Sequence, residues 1–142
     1  MLNSGIYKKG EIDISSINDL LSKIPKDSGS IMTFIGVVKE VGIANKKVIG
    51  LEIESYDERS NLAIKNICNE IKEKHGLSLI WIYHFKGSFK VGEPLVIVIV
   101  VGGHRKQTFP ALQEAIERYK KELAVWKKEI YYDGSEKWIS GS

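Results

Sequence analysis

Apolar residues recur along this chain with two periods, and each change of period marks a new element. Ile14, Ile17, Leu20, Leu21 and Ile24 follow a helical spacing that Ser15 or Ser16 would cap and Pro25 would end. Ile31 to Val38 reads as a strand, with Gly36 marking a bulge or a close backbone approach. An exposed loop over 42–47 leads to a second strand from Val48 to Glu54. From Asn61 to His75 the pattern returns to helix: Leu62, Ile64, Ile67, Cys68 and Ile71 form one apolar stripe and Gly76 supplies the stop. Leu79 to Phe85 and Leu95 to Val101 are two more strands, separated by a loop containing Gly87 and Gly92.

Beyond Gly102-Gly103 the pattern predicts a long helix with Thr108 as N-cap and Phe109, Leu112, Ile116, Tyr119 and Leu123 as its buried stripe. Pro110 then falls in the first turn, where a missing N–H does no harm. Ile130 to Tyr132 and Lys137 to Ile139 flank Asp133-Gly134, a strong hairpin signal. No repeat, linker or low-complexity stretch divides the sequence, so residues 1–142 are expected to form one domain. Strands and helices without regular βαβ alternation predict an α+β fold: a mixed or antiparallel sheet, two main helices and a C-terminal hairpin.

Composition narrows the function classes. Hydrophobic residues at 43% against 27% charged are enough to build a globular core. Met1 to Glu11 lacks the apolar segment of a signal peptide, and the run from Pro94 to Gly102 is too short to span a bilayer. The single cysteine, Cys68, cannot form an internal disulfide, which makes a reducing, cytoplasmic setting the expectation. It lies on an apolar stripe and reads as inert packing, so any sulfur this protein handles must be delivered by another molecule. No P-loop, dinucleotide fingerprint or nucleophile elbow is present. His75, His84 and His104 show no ligand spacing, so neither metal nor cofactor is expected; His84, ending an apolar strand, reads as a satisfied structural histidine.

The candidate chemistry lies in the last third. Lys120 and Lys127 are seven apart, so on a persisting helix they share a face, roughly 10 Å apart. Lys120 borders the apolar stripe, where partial desolvation lowers a lysine's pKa. Trp126 offers a wall for a flat ring. The competing reading makes Lys120, Lys121, Lys127 and Lys128 a solvated helix end. His104-Arg105, ahead of a helix N-terminus, is either an anion seat or a polar capping loop.

Several motifs together resemble the catalytic large subunit of molybdopterin synthase. They are H-R-K-Q-T-F-P-A at 104–111, Lys120 followed by W-K-K-E at 126–129, F-I-G-V-V-K at 34–39 and H-F-K-G-S-F-K-V-G-E at 84–93. The resemblance runs from about Ile31 to Trp138. It implies an α/β-hammerhead-like fold and a sulfurtransferase that builds the dithiolene of molybdopterin from cyclic pyranopterin monophosphate. The sulfur would arrive as a thiocarboxylate on the C-terminal glycine of a small ubiquitin-like subunit. Two large subunits would pair as a homodimer within a heterotetramer, without nucleic acid or membrane. The resemblance makes Lys120 and Lys127 the catalytic pair and His104, Arg105, Lys39, Phe34, Trp126 and Lys137 substrate contacts. The chain departs from the family at Lys39, where many relatives carry arginine, and at Ala124-Val125, which replaces a common Pro-Phe. Two non-catalytic alternatives stand beside it, a basic module for RNA or another polyanion and a scaffold for a ubiquitin-like partner. Residues 104–142 hold 8 Lys/Arg against 6 Asp/Glu, too balanced for a nucleic-acid footprint.

Overall fold

The longest strand of the protein, Leu79–Lys90, bonds to three others and so joins everything else. The computed structural model describes residues 2–139. In chain order the elements are β1 (Gly5–Lys8), a 3-10 turn (Ile14–Ser16), α1 (Ile17–Leu20), β2 (Ser30–Val37), β3 (Val48–Ser55) and α2 (Asp57–His75). They continue with β4 (Leu79–Lys90), β5 (Pro94–Gly102), α3 (Arg105–Glu122), β6 (Val125–Tyr131) and β7 (Glu136–Ile139). The sheet order is β2-β5-β4-β3-β6-β7, antiparallel throughout, with β1 added in parallel to β4. Strand β4 changes partners along its length: Leu79 to His84 pair with β5, and Gly87 to Lys90 pair with β3. The change falls at Gly87, whose φ of 123° is open to glycine and strained for other residues. Sequence periodicity places a loop here, because a glycine-marked bend inside one strand looks like a break between two.

Both main helices bury one stripe each. On α2 it is Ile64, Ile67, Cys68 and Ile71, as the spacing predicts, except that Leu62 turns outward and is exposed. On α3 the most deeply buried residues are Thr108, Ala111, Ala115 and, as predicted, Tyr119; Leu123 is buried past the helix end, Leu112 and Ile116 are half-buried against the core, and Phe109 points outward. The small Ala111 and Ala115 let α3 lie close over the sheet. Val96 to Val101 of β5 are wholly buried beneath it. Ser30 Oγ and Thr108 Oγ1 meet at 2.6 Å, tying the start of β2 to α3.

Helix α3 begins four residues before the predicted start. His104 is its N-cap: Nδ1 accepts from Lys106 N at 3.2 Å, and Gln107 Oε1 accepts from His104 N at 3.1 Å, a reciprocal capping box. Thr108 is spent on Ser30 instead. Pro110 therefore sits in the second turn, where it withdraws a donor from the Lys106 carbonyl. The period over 14–24 yields only a 3-10 turn and one helical turn, capped by Asp13, with Leu20 as the sole buried residue. The predicted C-terminal hairpin forms as β6 and β7. Strand β1 carries too short a pattern to be read from sequence.

Gly29 packs directly against the Gly103 backbone, and a Cβ there would run into the Gly103 carbonyl oxygen. Gly29→Ala should lower stability by about 1–3 kcal/mol. Urea unfolding measures this, and a midpoint equal to wild type would contradict the packing described.

Candidate active site

The site forms where α3 hands over to β6. Helix α3 ends after Glu122 because Leu123 is extended, at φ −75° and ψ 143°. The next carbonyl, Ala124 O, accepts from Tyr56 N at 2.9 Å and from the buried Ser60 hydroxyl at 3.1 Å. This catch pins the junction to the start of α2 and sends the chain into β6, antiparallel to β3. Lys127 is therefore a strand residue, paired with Ile53, and not part of the helix that carries Lys120. The helical spacing expected for the two lysines is wrong, yet the reversal of the chain brings them together.

Both lysines line one cavity of about 520 Å³. Its walls are Phe34 to Lys39 at the end of β2, Val48 and Leu51 of β3, Leu95 of β5, Tyr119 and Lys120 of α3, Lys127 and Glu129 of β6, and Ile139 of β7. Most of this lining is apolar. Strand alternation explains the choice of residues on β6: Lys127, Glu129 and Tyr131 face inward, while Trp126 lies on the opposite face. Lys127 is only 6% exposed. Burial, and then the neighbouring charge of Lys120, lower its pKa to about 8. The desolvated amine is thus Lys127, whereas Lys120, expected to hold that place, is exposed at the end of α3.

Glu129 is the acid of the cavity. Its carboxylate accepts from Ile43 N at 3.0 Å and from the Tyr131 hydroxyl at 2.8 Å. The Ile43 bond ties the 42–47 loop to the cavity, and Gly42 approaches so closely that a Cβ would collide with the carboxylate. Sequence reasoning passed over Glu129, although its position two residues beyond Lys127 on a strand places it on the same face. Among the described residues no group of three His, Cys, Asp or Glu side chains is placed to hold a metal ion.

Of the predicted substrate contacts, Phe34 and Lys39 line the cavity. Trp126 does not; it is 52% exposed and faces a shallow groove with Arg59, Leu62 and Ala124. Lys137 is opposite Glu129 in the β6–β7 ladder, exposed and one step outside the lining. His104 and Arg105 are at the far end of α3. Fifteen residues separate Arg105 from Lys120, about 22 Å along the axis, more than an arginine side chain spans. Within one chain the guanidinium and the two amines do not converge.

The family model described as MoaE protein matches residues 7–122. The chain belongs to the MoaE family. A Bacillus subtilis (strain 168) member named molybdopterin synthase catalytic subunit is 38% identical over 132 residues, covering 91% of this chain and 83% of its own length. A solved molybdopterin synthase structure from Staphylococcus aureus superposes with a TM-score of 0.86 at 29% identity, covering 99% of this chain and 98% of that one. The MoaE fold extends to the Helicobacter pylori complex of subunits 1 and 2 of molybdopterin-converting factor. That match has a TM-score of 0.76 at 17% identity and covers 96% of this chain and 89% of that one. No helix among the described residues is long and apolar enough to cross a membrane.

Burying Lys127 has a cost that depends on pH. Its folded pKa, about 8, lies below that of an unfolded lysine, near 10.4, so the unfolded chain binds more protons between those values. This group's contribution to stability therefore rises with pH across that window. Lys127→Met should unfold at higher temperature than wild type at pH 7, and the gain should shrink as pH goes from about 8 to 10. A thermal-melt difference that stays constant with pH would refute the buried-amine assignment.

Proposed function

We propose that this chain is the catalytic subunit of a molybdopterin synthase, moving sulfur from a thiocarboxylated small ubiquitin-like subunit onto cyclic pyranopterin monophosphate. The observation that carries this reading is the pairing of a desolvated Lys127 with an exposed Lys120 in one mostly apolar cavity. A thiocarboxylate is an anion, and the substrate's phosphate is another. Lys120, at the mouth, is suited to steer and hold the partner's C-terminal glycine. Lys127, with a pKa of about 8, is neutral in about a tenth of molecules at pH 7, so it can accept a proton and return it. Phe34 supplies a ring beside the pterin, and Lys39 supplies a point charge where many relatives have a bidentate arginine. Lys137, across the ladder from Glu129, adds a contact at the rim in this reading. Trp126, on the outer face of β6, has no part in the cavity of this chain.

Arg105 and His104 fit this function through a second copy. If they bind the substrate's phosphate, the distance along α3 requires that they do so in another chain's cavity, within a homodimer carrying one small subunit at each end. The edge strand β2 and the loop beyond it expose Ile35, Val37, Val41 and Ile43, an apolar strip of the kind that a partner covers. The chemistry and the free Cys68 thiol suit the cytoplasm. RNA binding finds little support, since the most distinctive lysine is buried.

Mixing the protein with thiocarboxylated partner and cyclic pterin, then assaying dithiolene, tests the function. Lys120→Ala and Lys127→Ala should each lower turnover by about 10²–10³-fold while partner binding persists. Wild-type turnover in both would end the assignment. Mixed dimers of Arg105→Ala with Lys127→Ala should recover activity relative to either parent, because one cavity in each mixed dimer regains both groups. Absence of recovery would place Arg105 outside the reaction.

A further inference from the structure

His84 is buried completely beneath α3, and only half of its imidazole is satisfied. Nδ1 lies 3.1 Å from the Phe85 carbonyl oxygen, which can only accept, so Nδ1 carries the proton. Nε2 is then a bare lone pair with no partner among the described residues. The ring meets Tyr119 edge-on, with centroids 5.8 Å apart at 65°, and Tyr119 is a wall of the cavity that holds Lys127. Burial first, and then the Lys127 charge, hold the imidazole neutral, with its pKa down to about 3. Lys127 for its part is buried with neither a hydrogen bond nor a carboxylate offsetting its charge among the described residues. A donor without an acceptor and an acceptor without a donor therefore lie to either side of Tyr119, Lys127 lining the cavity and His84 directly behind its wall. An apolar side chain would fill the His84 site without an orphaned nitrogen, so packing alone does not account for a histidine there.

We propose that His84 is a positioning residue for Lys127: its Nε2 lone pair is the acceptor, met through one bridging water, that aims the Lys127 amine into the cavity without adding charge. The inference rests on the functional reading above, in which Lys127 carries a proton. A carboxylate at that place would lock Lys127 as a permanent ammonium. A hydrocarbon would leave it unaimed. A neutral imidazole gives direction and still lets the amine exchange its proton. The other groups facing Lys127 are Lys120 and Tyr119 of α3, Glu129 on its own strand and Lys39 beyond β2, while β3 and β7 present only apolar Val48, Leu51 and Ile139. Of these, Glu129 already serves Ile43 and Tyr131.

The test reads Lys127 directly. The protein is labelled with trinitrobenzenesulfonate across pH 6–11, and modification at Lys127 is followed by peptide mapping. This needs neither partner nor pterin, so its outcome is separate from that of the functional reading. His84→Phe should lower the labelling midpoint relative to wild type, because the charged amine loses its acceptor, and should leave the melting temperature equal or higher. In the sulfur-transfer assay it should reduce kcat about tenfold with little change in KM. His84→Gln, which keeps a neutral acceptor, should hold the midpoint near wild type and recover much of kcat. If His84→Phe does not fold, His84→Met, also without a nitrogen acceptor, replaces it with the same expectation. An unshifted midpoint in the acceptor-free variant, or an equal shift in His84→Gln, would overturn the proposal.

Discussion

The Ala124 carbonyl, caught between the Tyr56 amide and the Ser60 hydroxyl, is the constraint on which the site depends. A helix that continued past Leu123 would carry Lys127 two turns further along the same rod. The catch instead stops α3, reverses the chain and commits it to the β3 ladder. Strand alternation then decides everything on β6: Lys127 and Glu129 go inward, Trp126 and Lys128 go outward. Two lysines arrive in one cavity from different elements, each held by its own set of backbone bonds. Side chains anchored on rigid elements are positioned more finely than side chains on loops.

Their environments differ because their anchors differ. Lys120 is at the end of a helix, where solvent reaches it. Lys127 is on a strand flanked by β3 and β7, and is almost wholly buried. One fold thus gives two chemically identical side chains different solvation, and burial lowers the proton affinity of Lys127, a common device in acid–base catalysis. Burying an amine without an acid partner opposes folding, and the apolar core of β5, α2 and α3 offsets that cost.

Much of this was legible in the sequence. The α+β class, the α2 stripe at Ile64, Ile67 and Ile71, the β5 strand and the final hairpin all follow from period and turn residues. The motifs at 34–39, 84–93, 104–111 and 126–129 carried the family. What failed did so for identifiable reasons. The centre of the α3 stripe falls on Ala111 and Ala115 rather than Leu112 and Ile116 because alanines, weak in a hydrophobicity count, are the residues that permit close packing, while Tyr119 and Leu123 are buried as their spacing predicts. The helix start was displaced because histidine is not a usual cap. Lys127 was assigned to a helix because Leu123, Ala124 and Val125 are apolar and contain neither glycine nor proline to signal an end; the stop comes from Ser60, sixty-four residues away. Whether His104 and Arg105 meet the lysines is a question of distance, which spacing along a chain does not answer.

Strand β4 has a further consequence. Its first half is hydrogen-bonded to β5, its middle to β1 and its second half to β3, so the β2–β5 half of the sheet cannot part from the β3–β6–β7 half without breaking bonds to it. Amide protons along Ile80 to Phe85 should be the slowest to exchange with solvent, reporting the full unfolding free energy, while the edge strands β2 and β7 fray at lower cost. His84, which meets the cavity only through the Tyr119 wall, belongs to that most protected segment, so the cavity is backed by the part of the molecule that moves least.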